Sequence, residues 1–478
     1  MEIVYQPYID PDFDSLIERI YPPRVSIDND TCEDCTLIKV DSANKHGILL
    51  EMVQVLTDLD LNISKSYISS DGGWFMDVFH VTDQLGNKLT DERLILYIQQ
   101  AVCASRRSKT TNFEEVNRRL GRELRPGQKD TALEMTGKDR PGLMSEIAAV
   151  LVELGCNVTA AMAWTHNGRV ACIIYVENGA EGGAISEPIR LAQVQEQLEN
   201  VIEAHHGNGE RRSVRLTTPG AGRTHTERRL HQLMYADGDY ERCRGCDGGG
   251  AAAHKNGCDR THVTIGKCKE KGYWVLNIRS RDRPKLLFDT VCALTDLEYA
   301  VFHAVVTSKG NMADQEYFIR HKDGYVLDTE NERHKLTLSL VAAIERRISQ
   351  GLRLDLSSQN RMGLLSDVTR VFRENGLSIS RLEVASQGER AFGSIHVTDA
   401  SGSDVDPNTV QMAIEEMGGS ILVHKSPNWF LQGFSPRRSP RIDTNTTSKG
   451  EDRPRFSLAS FVRAQLERFS SSFGTLRP

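Results

Sequence analysis

Hydrophobic residues recur at the same offsets in four separate stretches of the chain. The stretches begin at four anchor residues, Gly47, Gly142, Lys285 and Gly363, and offsets +1, +5, +8, +9 and +12 from each anchor are mostly apolar. After Gly142 these positions are Leu143, Ile147, Val150, Leu151 and Leu154. The spacing places the side chains on one face of a helix, so it predicts an amphipathic helix in each of four repeats.

Short runs with strand character surround each of these helices. One run precedes the anchor, a second follows the helix, and a turn containing Gly or Asn leads into a third. The predicted strands lie at 36–40, 61–64 and 74–81, at 132–136, 156–159 and 170–176, at 274–279, 299–302 and 314–320, and at 352–356, 377–380 and 392–399. Further helices are predicted at 91–104, 187–204, 331–348 and 408–417. The pattern predicts an α+β fold built from ferredoxin-like βαββαβ units.

The strand that should close each unit is uneven along the chain. Residues 213–216 can close the second unit and residues 421–425 the fourth. Between residues 348 and 352 there is no room for such a strand, so the third unit is predicted to be incomplete or to borrow an edge strand. Because an incomplete sheet exposes an edge, we expect neighbouring units to cover it and the units to pack on one another.

The length of 478 residues agrees with several domains, since single domains commonly hold about 100–150 residues. We name the repeats units 1 to 4. The predicted division is an N-terminal extension (1–34), unit 1 (35–105), a helical linker (106–130), unit 2 (131–218), a flexible linker (219–272), unit 3 (273–350), unit 4 (351–425) and a C-terminal tail with an amphipathic helix (426–478).

Composition and charge restrict the classes of partner. The net charge of −6 gives no general attraction to nucleic acid or to an anionic membrane, and no apolar run approaches the roughly 20 residues of a membrane span. The first residues lack the pattern of a secretory signal, so the ten cysteines are expected to be thiols in a reducing, cytoplasmic compartment. The basic run 435–441 could additionally serve nuclear import.

The turn between the first strand and the helix, which we call the corner, carries the most specific pattern. The four corners read NKHGILLEM (44–52), DRPGLMSEI (139–147), DRPKLLFDT (282–290) and NRMGLLSDV (360–368). Units with this corner resemble the ACT domain, and the whole chain resembles the plant ACT-repeat family, which has four ACT domains and no catalytic domain. The repeats are also similar to the ACT pair that ends the bacterial uridylyltransferase, a glutamine sensor.

The resemblance implies an amino-acid ligand at the interface between two paired units. The ligand would lie against a corner, and an Asn at the start of the second strand would reach it from the partner unit. A helix N-terminus suits a carboxylate, and Gly at the anchor lets a ligand approach the backbone. The residues implied as ligand-binding are Asn44, Gly47 and Asn62 in unit 1, Asp139, Gly142 and Asn157 in unit 2, and Asn360 and Gly363 in unit 4.

The same corner residues could instead serve only to start a helix, because Asp, Asn and Pro are common in a first turn. Unit 3 has Lys285 in place of Gly and Ala300 in place of Asn, so we expect no ligand there. Unit 4 has Ser378 in place of Asn, which also favours the structural interpretation. For units 1 and 2 binding is the favoured interpretation, and it is best supported where Gly142 and Asn157 occur in one unit.

The remaining candidate chemistry lies in the linkers. Cys32 and Cys35 are interpreted as incidental thiols in a linker. A zinc set is the alternative to a simple Gly/Ala-rich insertion at Cys243, Cys246, His254 and Cys258. The Arg-rich stretch 207–230 is interpreted as a solvated linker, whereas residues 231–241 are expected to be ordered and to dock on a unit.

The chain contains no P-loop, no G-x-S-x-G, no H-E-x-x-H and no paired Rossmann signature, and the linkers are too short for a catalytic domain. We therefore interpret the protein as a non-catalytic regulator that binds an amino acid and needs no cofactor. Glutamine is the candidate by analogy with the uridylyltransferase. The alternative is a repeat scaffold that binds a protein partner without a small ligand. Either a monomer or a homodimer fits, because four units can pair within one chain.

Overall fold

The computed structural model describes residues 24–43, 47–71, 74–104, 130–179, 182–204, 210–217, 224–241, 261–268, 272–324, 327–348, 351–418 and 421–425. Three predicted features lie outside these residues: nearly all of the helical linker 106–130, the cysteine-rich part of the second linker, and the C-terminal tail 426–478.

Helices and strands follow the predicted order in every unit. The helices are Ile48–Asp58 (α1), Glu92–Ala104 (α2), Leu143–Glu153 (α3), Pro188–Glu203 (α4), Thr226–Asp237 (α5), Leu286–Asp296 (α6), Glu330–Glu345 (α7), Leu364–Glu374 (α8) and Pro407–Met417 (α9). The strands are Arg24–Asp28 (β1), Thr36–Ala43 (β2), Asn62–Asp71 (β3), Trp74–Thr82 (β4), Thr131–Lys138 (β5), Cys156–His166 (β6), Arg169–Asn178 (β7), Ser213–Thr217 (β8), His262–Lys267 (β9), Trp274–Arg281 (β10), Tyr299–Lys309 (β11), Met312–His321 (β12), Leu352–Gln359 (β13), Leu377–Gln387 (β14), Arg390–Asp399 (β15) and Ile421–Lys425 (β16).

The described strands form two eight-stranded antiparallel sheets, and each sheet joins two units that are not neighbours in the chain. Sheet A has the order β1-β2-β4-β3-β11-β12-β10-β9 and unites units 1 and 3. Sheet B has the order β16-β13-β15-β14-β6-β7-β5-β8 and unites units 4 and 2. The seam of sheet A pairs Val305 with Tyr67, and the seam of sheet B pairs Glu383 with Met162.

Each pair of units shares one hydrophobic core. In sheet A the core residues of units 1 and 3 form a single cluster beneath α1 and α6, which pack on each other. In sheet B a second cluster spans units 2 and 4 beneath α3 and α8. Each sheet and the helices packed on it therefore form an α/β layer made of two ferredoxin-like units. The predicted apolar faces of the helices contribute to the shared core.

The four anchor residues have the same backbone conformation. Gly47, Gly142 and Gly363 precede their helices with φ of 85°, 82° and 80°, which is the left-handed region that favours glycine. Lys285 adopts it as well, with φ of 63°, although a side chain makes this conformation unfavourable. The corner geometry thus belongs to the repeat, and unit 3 retains it without glycine.

Two edge strands differ from the sequence-based expectation. Unit 3 is predicted from the sequence to lack a closing strand, but β9, from the segment expected to be a flexible linker, pairs with β10. In unit 1 the edge strand β1, expected to be part of an N-terminal extension, pairs with β2. Units 2 and 4 have edge strands β8 and β16 after their second helices, in the segments predicted for them. The edge strand of unit 3 comes from the segment before the unit, because too few residues separate α7 from β13 to form a strand there.

Helix α5 spans the boundary between two parts of the linker. From the sequence, residues 207–230 are expected to be solvated and residues 231–241 to be ordered. The helix packs on β5 and β7, on the face of sheet B opposite α3, and also on α6 of unit 3. Leu230, Leu233 and Met234 are buried there with Trp164 of β6. The expected docking of residues 231–241 is confirmed, whereas Arg228 and Arg229 are paired with Asp296 and Glu134 instead of being solvated.

Candidate ligand sites between units 2 and 4

The first candidate site lies where the corner of unit 2 faces unit 4. We call it the corner-2 cleft, and it is open to solvent. Unit 2 contributes its corner and the beginning of α3, and unit 4 contributes the end of α8 and the beginning of β14. The polar and charged lining residues are Asp139, Arg140, Ser145, Thr165, Thr369, Ser380, Arg373 and Arg381.

Gly142 and Arg373 are in direct contact in this cleft. A Cβ atom at position 142 would lie 3.0 Å from Cδ and 3.3 Å from Cγ of Arg373, so a larger residue there would require the arginine stem to shift. Arg373 is exposed, and no hydrogen bond or ion pair of its guanidinium group is found in the described part of the chain. The first-turn N–H groups of α3 lie at the same corner, and such groups have no acceptor within their helix. Together they form a positively polarised position.

An acidic side chain completes the corner-2 cleft. Asp139 precedes the anchor, and its backbone N–H donates to the carbonyl oxygen of Gly168 at 2.9 Å, which holds the corner against the β6–β7 turn. Thr165 donates its hydroxyl to the carbonyl oxygen of Ser380 at 3.0 Å across the seam. The cleft therefore presents a cation and helix N–H groups together with a carboxylate, which is the charge pattern that a zwitterionic α-amino acid needs.

The second candidate site lies where the corner of unit 4 faces unit 2, and we call it the corner-4 cleft. It is also open to solvent and is lined by the corner of unit 4, including Asn360, Arg361 and Gly363, and by Asn157 and Thr159 of unit 2. Val152 takes the place of Arg373, with its Cγ2 atom 3.7 Å from a Cβ at position 363. This cleft offers amide groups, and its one guanidinium, that of Arg361, is paired with Asp367 at 2.5 Å.

The structure redistributes the predicted ligand residues between these two clefts. Gly142 and Asn157, which belong to the same unit, line different clefts because unit 2 pairs with unit 4 across sheet B. Asp139 lies with Gly142, whereas Asn157 lies with Asn360 and Gly363. The Nδ2 group of Asn157 donates to Glu177 at 2.6 Å, so it is oriented by its own unit. The corner of unit 4, where the sequence favours the structural interpretation, thus faces the predicted Asn.

In sheet A the predicted ligand residues of unit 1 are not seen together at one site among the described residues. Asn44 lies outside the described residues, and Gly47 has open space where a Cβ would lie. Asn62 donates its Nδ2 group to the carbonyl oxygen of Asp83, within unit 1, at 3.0 Å. In unit 3, Nζ of Lys285 lies 2.6 Å from an oxygen of Glu227 on α5. The third corner is therefore engaged by the linker helix.

An ion pair that was not predicted from the sequence links the corner to the following helix in units 2, 3 and 4. Arg140 contacts Glu146 at 2.8 and 2.5 Å, Arg283 contacts Asp289 at 2.7 Å, and Arg361 contacts Asp367 at 2.5 Å. In each case the arginine stands two residues before the anchor and the acid four residues after it. The signal was present, because all four units carry an acid at that offset. Arg373 was missed for another reason: it reaches the cleft from the partner unit.

Buried charges connect α5 to units 3 and 4. Asp289 of α6 accepts hydrogen bonds from Arg347 at 2.7 Å, and it also contacts Arg283 and His231. Burial raises the pKa of Asp289, but the guanidinium groups of Arg347 and Arg283 outweigh it and hold the pKa well below its usual value. Arg347 also reaches Glu227 at 2.9 Å. The guanidinium groups of Arg347 and Arg283 thus favour the ionised carboxylate, whereas burial lowers the pKa of His231. Removing one charged partner from this interior is costly.

This charge network extends to the wall of the corner-2 cleft. Arg381, on β14, donates through Nη1 to the carbonyl oxygen of Arg347 at 2.9 Å. Both guanidinium groups lie over the ring of Trp164, at 4.8 Å for Arg347 and 5.4 Å for Arg381. Strand β14 thus has the cleft on one side and the network on the other. A shift of the β14 backbone would therefore change the contact of Arg381 with Arg347, which lies in unit 3 and contacts α5.

Two other expectations can be compared with the described residues. Within the ranges that the structure describes, no group of three or more His, Cys, Asp or Glu side chains is arranged to hold a metal ion. The zinc set Cys243, Cys246, His254 and Cys258 lies outside those ranges. Among the described helices, none has the length and apolar character needed to cross a membrane.

Comparison with known proteins agrees with this architecture. The model of the ACR family N-terminal ACT domain matches residues 31–109, and the ACT domain model matches residues 353–419. The chain is 54% identical to ACT domain-containing protein ACR1 of Arabidopsis thaliana, over 100% of both chains. It is 49% identical to ACR3 of the same plant, over 88% of this chain and 91% of that one.

A more distant likeness is local. A stretch of 79 residues is 39% identical to the bifunctional uridylyltransferase/uridylyl-removing enzyme of Azospirillum brasilense, covering 16% of this chain and 8% of the enzyme. The likeness to ACR1, by contrast, covers the full length of both chains. The chain therefore belongs to the ACR family of ACT domain-containing proteins.

Proposed function

We propose that the protein is a non-catalytic regulator that binds amino acids in the two clefts between units 2 and 4. The observation that carries the proposal is the juxtaposition of Gly142 with Arg373, whose Cγ and Cδ atoms lie against the N-cap glycine of α3. An α-carboxylate would be held by Arg373 and the first-turn N–H groups of α3. The ammonium group would be held by Asp139, on the other side of the anchor.

The corner-4 cleft would bind its ligand differently. Asn157 and Asn360 offer hydrogen-bond donors and acceptors, and Val152 leaves the position of Arg373 apolar. Without a free cation among its described lining residues, this cleft should bind the carboxylate through helix N–H groups alone and therefore more weakly. Glutamine is the first ligand to test, because of the local likeness to the uridylyltransferase; this choice rests on analogy.

The regulatory effect would be a population shift. A ligand that bridges the corner of unit 2 and strand β14 favours one packing of the units, and its effect cannot exceed its differential affinity for the two packings. Arg381 supplies the route, since its side chain joins β14 to Arg347 and the buried network on α5. A downstream protein would recognise the stabilised arrangement.

Calorimetry and thermal-shift screening of the full chain against the twenty amino acids test this proposal. Arg373→Ala should weaken binding at least tenfold, because it removes a charge-assisted contact. Arg370→Ala is the matched control: this arginine lies on the same helix, is exposed, and pairs with Glu374 away from the cleft. Equal affinity of both variants and the parent would contradict the assignment of the corner-2 cleft.

A second pair of variants addresses the corner-4 cleft. Asn157→Ala should reduce the number or affinity of bound ligands, whereas Asn62→Ala should not, because Asn157 lines the corner-4 cleft and Asn62 lines neither of the two clefts. If no amino acid stabilises the protein at millimolar concentration, the sensor function is wrong. A repeat scaffold that binds a protein partner would then be the better proposal.

A further inference from the structure

Two cysteine side chains approach each other in the loop that connects β1 to β2. The Sγ atom of Cys35 lies 3.0 Å from the Sγ atom of Cys32, and its thiol donates to it. Cys32 is partly exposed, whereas Cys35 is buried with 6% of its surface accessible. From the sequence these residues are expected to be incidental thiols in a linker, but the loop joins two paired strands of sheet A.

The loop is held on both sides by hydrogen bonds. Asn29 donates its Nδ2 group to the carbonyl oxygen of Leu89 at 2.9 Å and accepts from the hydroxyl of Thr36 at 2.6 Å. The carboxylate of Asp28 accepts from the backbone N–H groups of Asp30 and Thr31 at 2.9 and 3.0 Å. The two sulfur atoms are therefore positioned by an ordered loop, and bond formation requires them to approach by only about 1 Å.

The environments of the two sulfur atoms assign them different roles. A hydrogen bond from the thiol of Cys35 and another from the backbone N–H of Asp34 lower the pKa of Cys32. Burial raises the pKa of Cys35 to about 12. The more exposed sulfur is thus the better thiolate, and the buried sulfur stays protonated until its neighbour has reacted.

We propose that Cys32 and Cys35 form a dithiol site that reacts with low-molecular-weight disulfides such as oxidised glutathione. The thiolate of Cys32 attacks one sulfur of the disulfide, which breaks its S–S bond and releases one glutathione thiolate. Cys35 then loses its proton and attacks the Cys32 sulfur of the mixed disulfide, releasing the second glutathione thiolate. The dithiol loses two electrons and two protons, and one disulfide molecule is reduced to two thiols.

The sequence allows a direct assay on the full-length protein. Trypsin cleaves after Arg24 and Lys39, so the peptide of residues 25–39 carries both cysteines and no other. The reduced protein is incubated with oxidised glutathione, quenched with acid, alkylated, digested and weighed. We expect this peptide to lose the mass of two hydrogens and to resist alkylation until it is reduced again.

Single variants separate the two roles. In Cys35→Ser the reaction should stop at the first step and leave one glutathione on Cys32, whereas in Cys32→Ser the buried Cys35 should remain a thiol. Cys268, a partly buried thiol elsewhere in the protein, is the internal comparison and should react at least tenfold more slowly than Cys32. The parent protein decides the question even if a variant fails to fold. The proposal is overturned if peptide 25–39 keeps both thiols when Cys268 is already glutathionylated, or if glutathione accumulates on Cys35.

Discussion

Arg347 and Asp289 form a two-point ion pair in the interior of the protein, with both N–O distances at 2.7 Å. The two side chains are 5% and 0% exposed, so solvent cannot replace either partner. Arg347→Met should lower the free energy of unfolding by about 3–5 kcal/mol, because it removes a buried cation from the carboxylates of both Asp289 and Glu227. Among the described lysines and arginines, only Arg283 then remains paired with Asp289, and only Lys285 with Glu227.

Denaturant unfolding measures this loss. The matched control is Arg353→Met, since Arg353 and Asp355 form a pair that is 35% and 39% exposed. That variant should lose less than about 1 kcal/mol. Similar losses in the two variants would show that the buried network contributes little to the joining of α5 to unit 3.

Gly142→Ala should reduce both stability and amino-acid binding. The left-handed backbone costs a side chain about 1–2 kcal/mol, and the added Cβ would also displace the stem of Arg373. Gly86→Ala is the matched control, because Gly86 has φ of 83° and open space where the methyl group of alanine would lie. Both variants should lose similar stability in thermal unfolding, and only Gly142→Ala should lose ligand affinity. Unchanged affinity in Gly142→Ala would contradict the contact.

Asp77 should make the protein less stable as the pH rises. It lies between Phe75 and Phe79 on β4, is 1% exposed, and burial raises its pKa well above the usual value. The unfolded carboxyl group loses its proton near pH 3.9, so above about that pH the folded state binds more protons than the unfolded one. The free energy of unfolding therefore falls with rising pH until the folded carboxyl also ionises.

Asp77→Asn should remove this dependence: the variant should be more stable than the parent at pH 7, and the difference should shrink toward about pH 3. Asp399→Asn has the opposite sign, because hydrogen bonds from the Ser401 hydroxyl and the Ser403 N–H lower the pKa of Asp399. That carboxylate stabilises the fold above its unfolded pKa and ceases to do so as the pH falls. Denaturant unfolding at several pH values distinguishes the two, and parallel profiles would contradict the assignment for Asp77.

The packing of α5 can be tested through Leu230, which is fully buried against sheet B. Leu230→Ala should destabilise the protein by about 2–5 kcal/mol, the usual range for a buried leucine. Leu85→Ala, at a position that is 83% exposed, should change the free energy of unfolding by less than about 0.5 kcal/mol. A neutral Leu230→Ala would mean that the linker helix is only loosely attached.

The sequence was sufficient for features that depend on local spacing. The left-handed corner at Gly142 and the helix after it follow from one glycine and a period of apolar residues. The seam that pairs Glu383 with Met162 does not, because it joins strands that lie far apart in the chain. For the same reason Arg373 could not be assigned to the cleft at Gly142. The edge strand β9 was missed because its six residues lie upstream of the repeat, in a stretch without a corner.

The alternation of units between the two sheets has a consequence for biosynthesis. Units 1 and 3 share sheet A, and units 2 and 4 share sheet B, so neither pair is a continuous segment of the chain. During synthesis on the ribosome, the core that units 1 and 3 share cannot form until β11 has been made. The core that units 2 and 4 share cannot form until β14 has been made. Such late, long-range contacts slow folding and leave apolar surface uncovered meanwhile. The nascent protein should therefore depend on chaperones until its fourth unit has been synthesised.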